Sequence, residues 1–210
     1  MVDIAESLRL AEQLSARLCH ELSGPIGSLH QVLALLQADP ANPDALALAQ
    51  TASADLVARL RLLRAAWGPE SDPLDGSALV TLAAGLRNAG RVSLDLSGLA
   101  AGTRFPPTTA RVVLNILLLA AESLPTGGWI GFSGDASDLF IGIDGPGAAW
   151  PKGLALCAAE PHAVLEAATS SQTLQLPLTA LLAKGCGLRL SLLMGATAGG
   201  PAPLRLSSAK

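Results

Sequence analysis

The sequence predicts an α+β protein in which a hairpin of two long helices precedes a sandwich of helices and a mainly antiparallel sheet. Three observations carry this prediction. Mostly apolar residues recur about every 3.5 positions through the first 67 residues, with one proline-rich break. After residue 71, short alternating segments typical of strands lie between apolar helical segments. Half of the 210 residues are apolar, so the chain can bury a sizeable core.

The first helix is predicted by a stripe that ends before Asp39-Pro40. Proline cannot continue the backbone hydrogen-bond ladder and restricts the residue before it, so the helix stops there. The residues of the stripe alternate in steps of three and four, and Ser15 is its polar member: Leu8, Ala11, Ser15, Leu18, Leu22, Pro25, Leu29, Val32 and Leu36.

The second helix is predicted to begin at Asn42-Pro43, an N-cap followed by a first-turn proline, and to end at Gly68-Pro69. Its stripe consists of Leu46, Ala49, Ser53, Leu56, Leu60, Leu63 and Trp67. Matching stripes and a short connection predict an antiparallel hairpin domain over residues 1–70. We expect two copies to pair as a dimeric four-helix bundle, because one hairpin exposes too much apolar surface. The alternative is that residues 71–210 cover the stripes within one chain.

Residues 71–210 are predicted to form the second domain. Asp72 to Gly76 is a linker with a possible N-cap, and an apolar helix is expected from Thr108 to about Leu124. Another helix is predicted over 77–89, and two helical pieces over 160–184. Strands are predicted over 91–96, 129–134, 139–143, 188–193 and 204–207.

Composition narrows the class of function. A net charge of −3 argues against a nucleic-acid surface, which requires clustered Lys and Arg. The first residues lack the basic start and apolar core of a signal peptide, and the apolar run Val112 to Ala121 is half of the ~20 residues that cross a membrane. Cys19, Cys157 and Cys186 lack metal-site or disulfide spacing. We therefore expect a cytoplasmic protein with protein or small-molecule partners.

His20 is the leading candidate for chemistry. On the first helix it points away from the apolar stripe, so we expect it to face water. An exposed neutral imidazole has a free lone pair that can attack a phosphoryl group, whereas the alternative is a surface or capped structural histidine. Glu21 could hold or deprotonate the ring, or be a solvated helix charge. Gly24, Pro25 and Gly27 predict a locally kinked and open surface, or a kink that only bends the helix around its partner.

The surface around His20 predicts a docking site for a protein partner. Residues three, four, seven, eight and eleven positions away share its stripe, and small side chains there admit a partner's backbone. Arg17 is expected to contact phosphate, or else to be solvated. The candidate partner-binding residues are Arg17, Ser23, Gly24, Gly27, Ser28 and Gln31.

The segment His20-Glu21-Leu22-Ser23-Gly24-Pro25-Ile26 resembles the phosphoacceptor box of two-component sensor histidine kinases. The wider segment from Leu18 to Gly27 is similar to ChpT-type histidine phosphotransferases, and this resemblance extends along most of the chain. It implies a homodimer in which His20 and Glu21 are the catalytic residues of a phosphorelay. The donor would be the receiver domain of a hybrid sensor kinase, the acceptors would be response regulators, and the receiver would hold Mg²⁺.

The second domain resembles the ATP-binding domain of histidine kinases, an α/β sandwich, with departures at the nucleotide motifs. Asn115 stands where the metal-binding Asn is expected, but the later Asn of that helix is absent. Asp144-Gly145-Pro146-Gly147 and Gly185-Cys186-Gly187-Leu188 match the glycine boxes only loosely. Without these groups nothing offsets the charge of a triphosphate. We expect this chain to bind no ATP, cofactor or metal; the alternatives are an ATP-dependent sensor histidine kinase core and a non-catalytic dimeric scaffold.

Overall fold

The computed structural model describes residues 4–69, 72–160, 173–193 and 200–209. Its helices are α1 (Ile4–Ala38), α2 (Pro43–Trp67), α3 (Gly76–Ala83), α4 (Pro107–Glu122), α5 (Leu154–Ala159) and α6 (Gln175–Gly185), with a 3₁₀ turn at Ala89–Arg91. Its strands are β1 (Leu74–Asp75), β2 (Val92–Leu99), β3 (Arg104–Phe105), β4 (Gly128–Gly134), β5 (Asp138–Asp144), β6 (Leu188–Leu192) and β7 (Leu204–Ser208). The predicted α+β class is confirmed.

Helices α1 and α2 form the expected antiparallel hairpin. The predicted N-cap is present, because the Asn42 side chain accepts a hydrogen bond from the Ala45 amide. Helix α1 continues through Pro25 for 35 residues. Ser23 lies two residues before this proline, and its hydroxyl donates to the Cys19 carbonyl at 2.7 Å. The hairpin therefore presents one long helix on which His20 lies near the middle.

The main sheet has five strands in the order β2-β4-β5-β7-β6. Strands β2 and β4 are parallel, and the other three neighbouring pairs are antiparallel. Strands β1 and β3 form a separate antiparallel pair that the sequence did not predict. Alternate residues of β5 are buried and half-buried, as expected for a sheet with one face covered by helices.

Helix α4 lies at the centre of the protein. Twelve of its sixteen residues are buried, because it packs between α2, α6 and the sheet. The core continues into the end of the hairpin through Leu62, Leu63 and Ala66. By contrast, other stripe residues of the hairpin stay exposed, with 39% for Leu18, 52% for Leu46 and 43% for Leu60. The described residues of the second domain thus cover one end of the hairpin and leave these stripe residues exposed.

Helix α3 ends six residues before its predicted end at position 89. The chain there passes against α2: a Cβ on Gly85 would lie 2.3 Å from the Ala58 carbonyl oxygen. A side chain at position 85 would therefore clash with α2. Residues 84–91 form turns that return the chain to β2. We call residues 84–91 the junction loop, because it connects the second domain to the hairpin.

The predicted helical region over 160–184 is only partly described. Residues 161–172 lie outside the described residues, while α6 matches the later piece. Helix α5 was not predicted, because its six residues are too short for a periodic pattern to be recognised.

Candidate phosphoacceptor site on the helical hairpin

His20 lies on the exposed face of α1, as its position relative to the apolar stripe predicts. Its imidazole makes no hydrogen bond or ion pair with the described part of the chain. An imidazole in this setting is accessible to another macromolecule and has no competing protein partner. This arrangement suits a side chain that accepts a chemical group from a docked protein or passes one to it.

The surface beside His20 consists mostly of residues with small side chains. Ser23, Gly24, Ser28 and Gln31 are exposed, and Gly27 is half-buried. A Cβ built on Gly24 or Gly27 would meet nothing within 4 Å. Packing within this chain therefore does not require glycine at either position, although glycine costs a helix about 1 kcal/mol relative to alanine. These five predicted docking residues lie together with His20 on one face.

Arg17 is not on this face, which corrects the prediction. The residue is only 4% exposed, and its guanidinium pairs with the Glu122 carboxylate at the end of α4. It also lies over the Trp67 ring, with 5.7 Å between the guanidinium carbon and the ring centroid. Within this chain, Arg17 therefore faces the second domain and is not part of the exposed stripe.

Glu21 also departs from expectation. It is 3% exposed, so it is not a solvated helix charge. One carboxylate oxygen pairs with Arg59, and the other lies 3.8 Å from Arg17 and 3.7 Å from Arg87. The described chain shows no hydrogen bond between Glu21 and His20. Its carboxylate is thus engaged by guanidinium groups on the opposite side of the helix from solvent.

Arg17, Glu21, Arg59, Arg87 and Glu122 form a group that we call the junction cluster. Arg59 lies on α2, is 5% exposed, and donates from Nη1 to the Gly85 carbonyl at 2.9 Å. Burial lowers the pKa of its guanidinium, and the Glu21 carboxylate opposes this effect. Charges this well buried are retained where they are paired. The cluster therefore joins both helices of the hairpin to the junction loop and α4.

Three members of the junction cluster, Arg59, Arg87 and Glu122, were missed from the sequence. A signal was present on α1, where Leu10 and Leu14 lie on the same face as Arg17 and Glu21 at spacings of four and three. These two leucines pack against Leu174 and Leu178 in the structure. A second apolar stripe on one helix indicates a second packing surface, and the two charged residues continue it.

A crevice of about 380 Å³ separates the hairpin from the junction loop. Pro25, Ser28 and Asp55 line its hairpin side, and Arg87 and Gly90 line the opposite side. Ser28 belongs to the His20 face, so the junction loop borders that face directly. A partner that covers His20 and Ser28 therefore reaches the edge of the second domain.

Asn115 lies in the core and not on an open surface. It is fully buried, and its side chain donates to the Ala66 carbonyl at 2.8 Å and accepts from Trp67 Nε1 at 3.2 Å. Gln175 Nε2 also donates to its Oδ1 at 3.0 Å. The amide is engaged by α2 and α6, so the residue connects these two helices to its own helix, α4.

Two further findings concern the described residues only. Within those ranges, no helix combines the length and apolarity needed to span a bilayer. No group of three or more His, Cys, Asp or Glu residues in the same ranges is arranged to hold a metal ion.

The second domain matches a protein family at the level of sequence. The model of the histidine phosphotransferase C-terminal domain aligns with residues 77–198, which is more than half of the chain. The chain belongs to the histidine phosphotransferase family. The resemblance inferred from the His20 motif is therefore confirmed by a region of the chain that does not contain that motif.

A curated relative and a solved structure are also similar to this chain. The protein phosphotransferase ChpT of Brucella abortus (strain 2308) is 29% identical over 140 residues, covering 63% of this chain and 64% of ChpT. The chain thus spans less than two thirds of the relative that it matches. A bacterial phosphotransferase solved at 1.7 Å superposes with a TM-score of 0.74 at 24% identity, over 98% of this chain and 97% of the other. The overall fold is therefore shared along nearly the whole chain.

Proposed function

We propose that this chain is a cytoplasmic histidine phosphotransferase that relays a phosphoryl group through His20. The donor is the receiver domain of a hybrid sensor kinase, and the acceptors are the receiver domains of response regulators. The observation that carries this proposal is the exposed, unengaged imidazole of His20 beside two glycines that the chain's own packing does not require. Membership of the histidine phosphotransferase family supports it.

The chemistry needs little from this chain beyond His20. The lone pair of a neutral imidazole nitrogen attacks the phosphorus of the receiver's aspartyl phosphate. A P–N bond forms, the acyl P–O bond breaks, and the carboxylate leaves with the electron pair. Because the attacking nitrogen carries a lone pair and the other nitrogen keeps its hydrogen, no base has to remove a proton first. Positioning and charge stabilisation dominate phosphoryl transfer, and Mg²⁺ held by the receiver would supply the charge.

The second domain is proposed to bind no ATP. Asn115, at the position of the metal-binding Asn in the kinase resemblance, has its amide engaged by Ala66, Trp67 and Gln175. An oxygen that already accepts two hydrogen bonds in a fully buried position is a poor ligand for Mg²⁺. The phosphoryl group therefore comes from a receiver domain.

We also propose that the chain works as a homodimer. Both helices of the hairpin line an open groove of about 650 Å³, which includes Leu29, Leu33, Ala49, Ser53 and Val57. The apolar side chains of Leu33 and Val57 are exposed there. A second copy of the hairpin would cover this surface as a four-helix bundle. Sedimentation should give a dimer for the wild type and a monomer for Leu33→Glu; a wild-type monomer at micromolar concentration would contradict the dimer.

The central experiment supplies the purified protein with either a ³²P-labelled phospho-receiver or γ-labelled ATP. We expect acid-labile label from the phospho-receiver only, and its loss in His20→Asn. His30→Asn is the matched control, because His30 is exposed on the same helix. This substitution should leave phosphoryl transfer unchanged. Labelling from ATP would establish a kinase core, and no labelling from either source would establish a scaffold. Label retained in His20→Asn would refute the site.

A further inference from the structure

We propose that Glu21 is a positioning residue, which fixes the second domain against the helix that carries His20 and does not act on the imidazole. This inference rests on the proposed function, because it assigns Glu21 a role in phosphoryl transfer through His20. The predicted alternative gave Glu21 a role in holding or deprotonating the ring. The contacts of its carboxylate support the positioning role.

The first step of the argument is where the Glu21 carboxylate lies. It is surrounded by guanidinium groups from three segments of the chain: Arg17 on α1, Arg59 on α2 and Arg87 on the junction loop. The same Arg59 donates to the Gly85 carbonyl of the junction loop, and Arg17 pairs with Glu122 of α4. One carboxylate on α1 therefore connects the hairpin to two parts of the second domain.

The second step concerns charge. The junction cluster holds three guanidinium groups and two carboxylates, so Glu21 is the central anion for Arg17, Arg59 and Arg87. Removing its charge would leave the side chain of Arg59, which is only 7% exposed, without its ionic partner. An unpaired buried charge is strongly unfavourable, so the junction would open or take in water. The position of the junction loop thus depends on Glu21.

The third step connects the cluster to the docking face, by which we mean the exposed surface of α1 around His20 that includes Ser23, Gly24, Gly27, Ser28 and Gln31. Glu21 directly follows His20, so on a rigid helix the two side chains diverge by about 100° around the axis. Fixing Glu21 against Arg59 and Arg87 therefore fixes which way His20 points relative to the second domain. The junction loop also borders Ser28 of the docking face across the crevice. A receiver domain that docks on His20 therefore meets the docking face and the junction loop at a fixed distance from each other.

Transfer kinetics distinguish positioning from action on the ring. The proposal predicts that Glu21→Gln and Arg59→Gln each raise the phospho-receiver concentration for half-maximal transfer by about tenfold, which corresponds to a weakened docking surface. The rate at saturation and its pH profile should change little in both variants. The double variant should be no worse than either single one, because both break the same pair. Arg64→Gln is the matched control, because Arg64 is an exposed arginine on α2, the helix that carries Arg59.

Two outcomes would overturn the proposal. One is a Glu21→Gln variant whose saturating rate and pH profile change while Arg59→Gln behaves as wild type. Because Arg59 is not next to the imidazole, this difference would mean that Glu21 acts on the ring itself. The other is independent, additive effects of the two substitutions. The conservative variants Glu21→Asp and Arg59→Lys keep the charges and should recover part of the lost affinity. They also provide folded proteins if the Gln variants unfold.

Hydrogen exchange gives a readout that does not depend on activity. Backbone amides of the junction loop should exchange faster in Glu21→Gln and Arg59→Gln than in wild type or Arg64→Gln. Unchanged exchange would refute the positioning role of Glu21 even if transfer were altered. Conversely, a wild-type protein that takes no label from any phospho-receiver would refute the proposed function, while the exchange data would still report on whether Glu21 holds the junction loop.

Discussion

Glu21 and Arg59 form a buried ion pair across the hairpin, with side chains 3% and 7% exposed, although 38 positions separate them in the chain. The pair lies one residue from the exposed imidazole of His20. The same helix therefore has two unlike faces, one open to a partner and one fixed by charge to the second domain. The five predictions below concern residues of these two faces, of the core and of the N-cap of α3.

Truncating one member of the pair should destabilise the protein strongly. Arg59→Leu leaves the Glu21 carboxylate buried with weaker partners, and such changes cost about 3–5 kcal/mol. The free energy of unfolding from urea titration measures this loss. Arg64→Leu on the same helix is the control, since Arg64 is exposed and lies outside the groove proposed for the dimer. A loss below about 1 kcal/mol for Arg59→Leu would mean that the pair is effectively solvated.

Gly27→Ala should separate stability from docking. Alanine favours the helix by about 0.5–1 kcal/mol, and its Cβ would meet no atom of this chain within 4 Å. We therefore expect a higher melting temperature together with slower transfer from a phospho-receiver, because the added methyl group stands on the docking face. Equal or faster transfer would show that the partner does not approach Gly27.

Asn115→Asp should be harmful because Asn115 uses both halves of its amide. The change replaces the Nδ2 donor that faces the Ala66 and Arg111 carbonyls with a carboxylate oxygen. The two carbonyl oxygens would then face another oxygen with no hydrogen to share, and such buried groups without a hydrogen bond destabilise the fold by about 3 kcal/mol in total. Urea unfolding measures the loss. If Asn115 were a free metal ligand, Asp would be tolerated and the unfolding free energy would barely change.

Thiol labelling should distinguish two of the cysteines. Cys157 is fully buried, and burial raises the pKa of its thiol to about 11, so about one molecule in a thousand is thiolate at pH 8. Cys19 is exposed on α1. Iodoacetamide should modify Cys19 rapidly, and Cys157 only after denaturation in guanidinium chloride. The fast phase should disappear in Cys19→Ser and persist in Cys157→Ser.

The N-cap of α3 should contribute stability that depends on pH. Hydrogen bonds from the Ala78 amide and the Ser77 hydroxyl lower the pKa of the Asp75 carboxyl below its usual 3.8. The stabilisation is therefore complete above pH 3.8 and is lost as the pH falls through the lower folded-state value. The melting temperature of wild type should exceed that of Asp75→Ala at pH 7, and the difference should shrink in more acidic buffer. A difference that is constant down to pH 2 would contradict this.

Much of the fold was accessible from local pattern. Regular apolar spacing predicted α1 and α2, and proline and glycine at their ends placed the boundaries within a few residues. The α6, β5 and β7 segments were predicted for the same reason. The two-residue strands β1 and β3 were missed, because an element this short exists only through its partner.

The sequence by itself determined the hairpin, the exposure of His20 and the small side chains beside it, because helical periodicity assigns residues to faces without knowledge of the rest of the protein. Only the tertiary structure decided the contacts of Arg17, Glu21 and Asn115. Their partners, Glu122, Arg59 and Gln175, lie 105, 38 and 60 positions away. A charged or amide side chain carries no local sign of whether it meets water or a distant partner. Folding therefore decides whether it forms part of the docking face or a connection within the core.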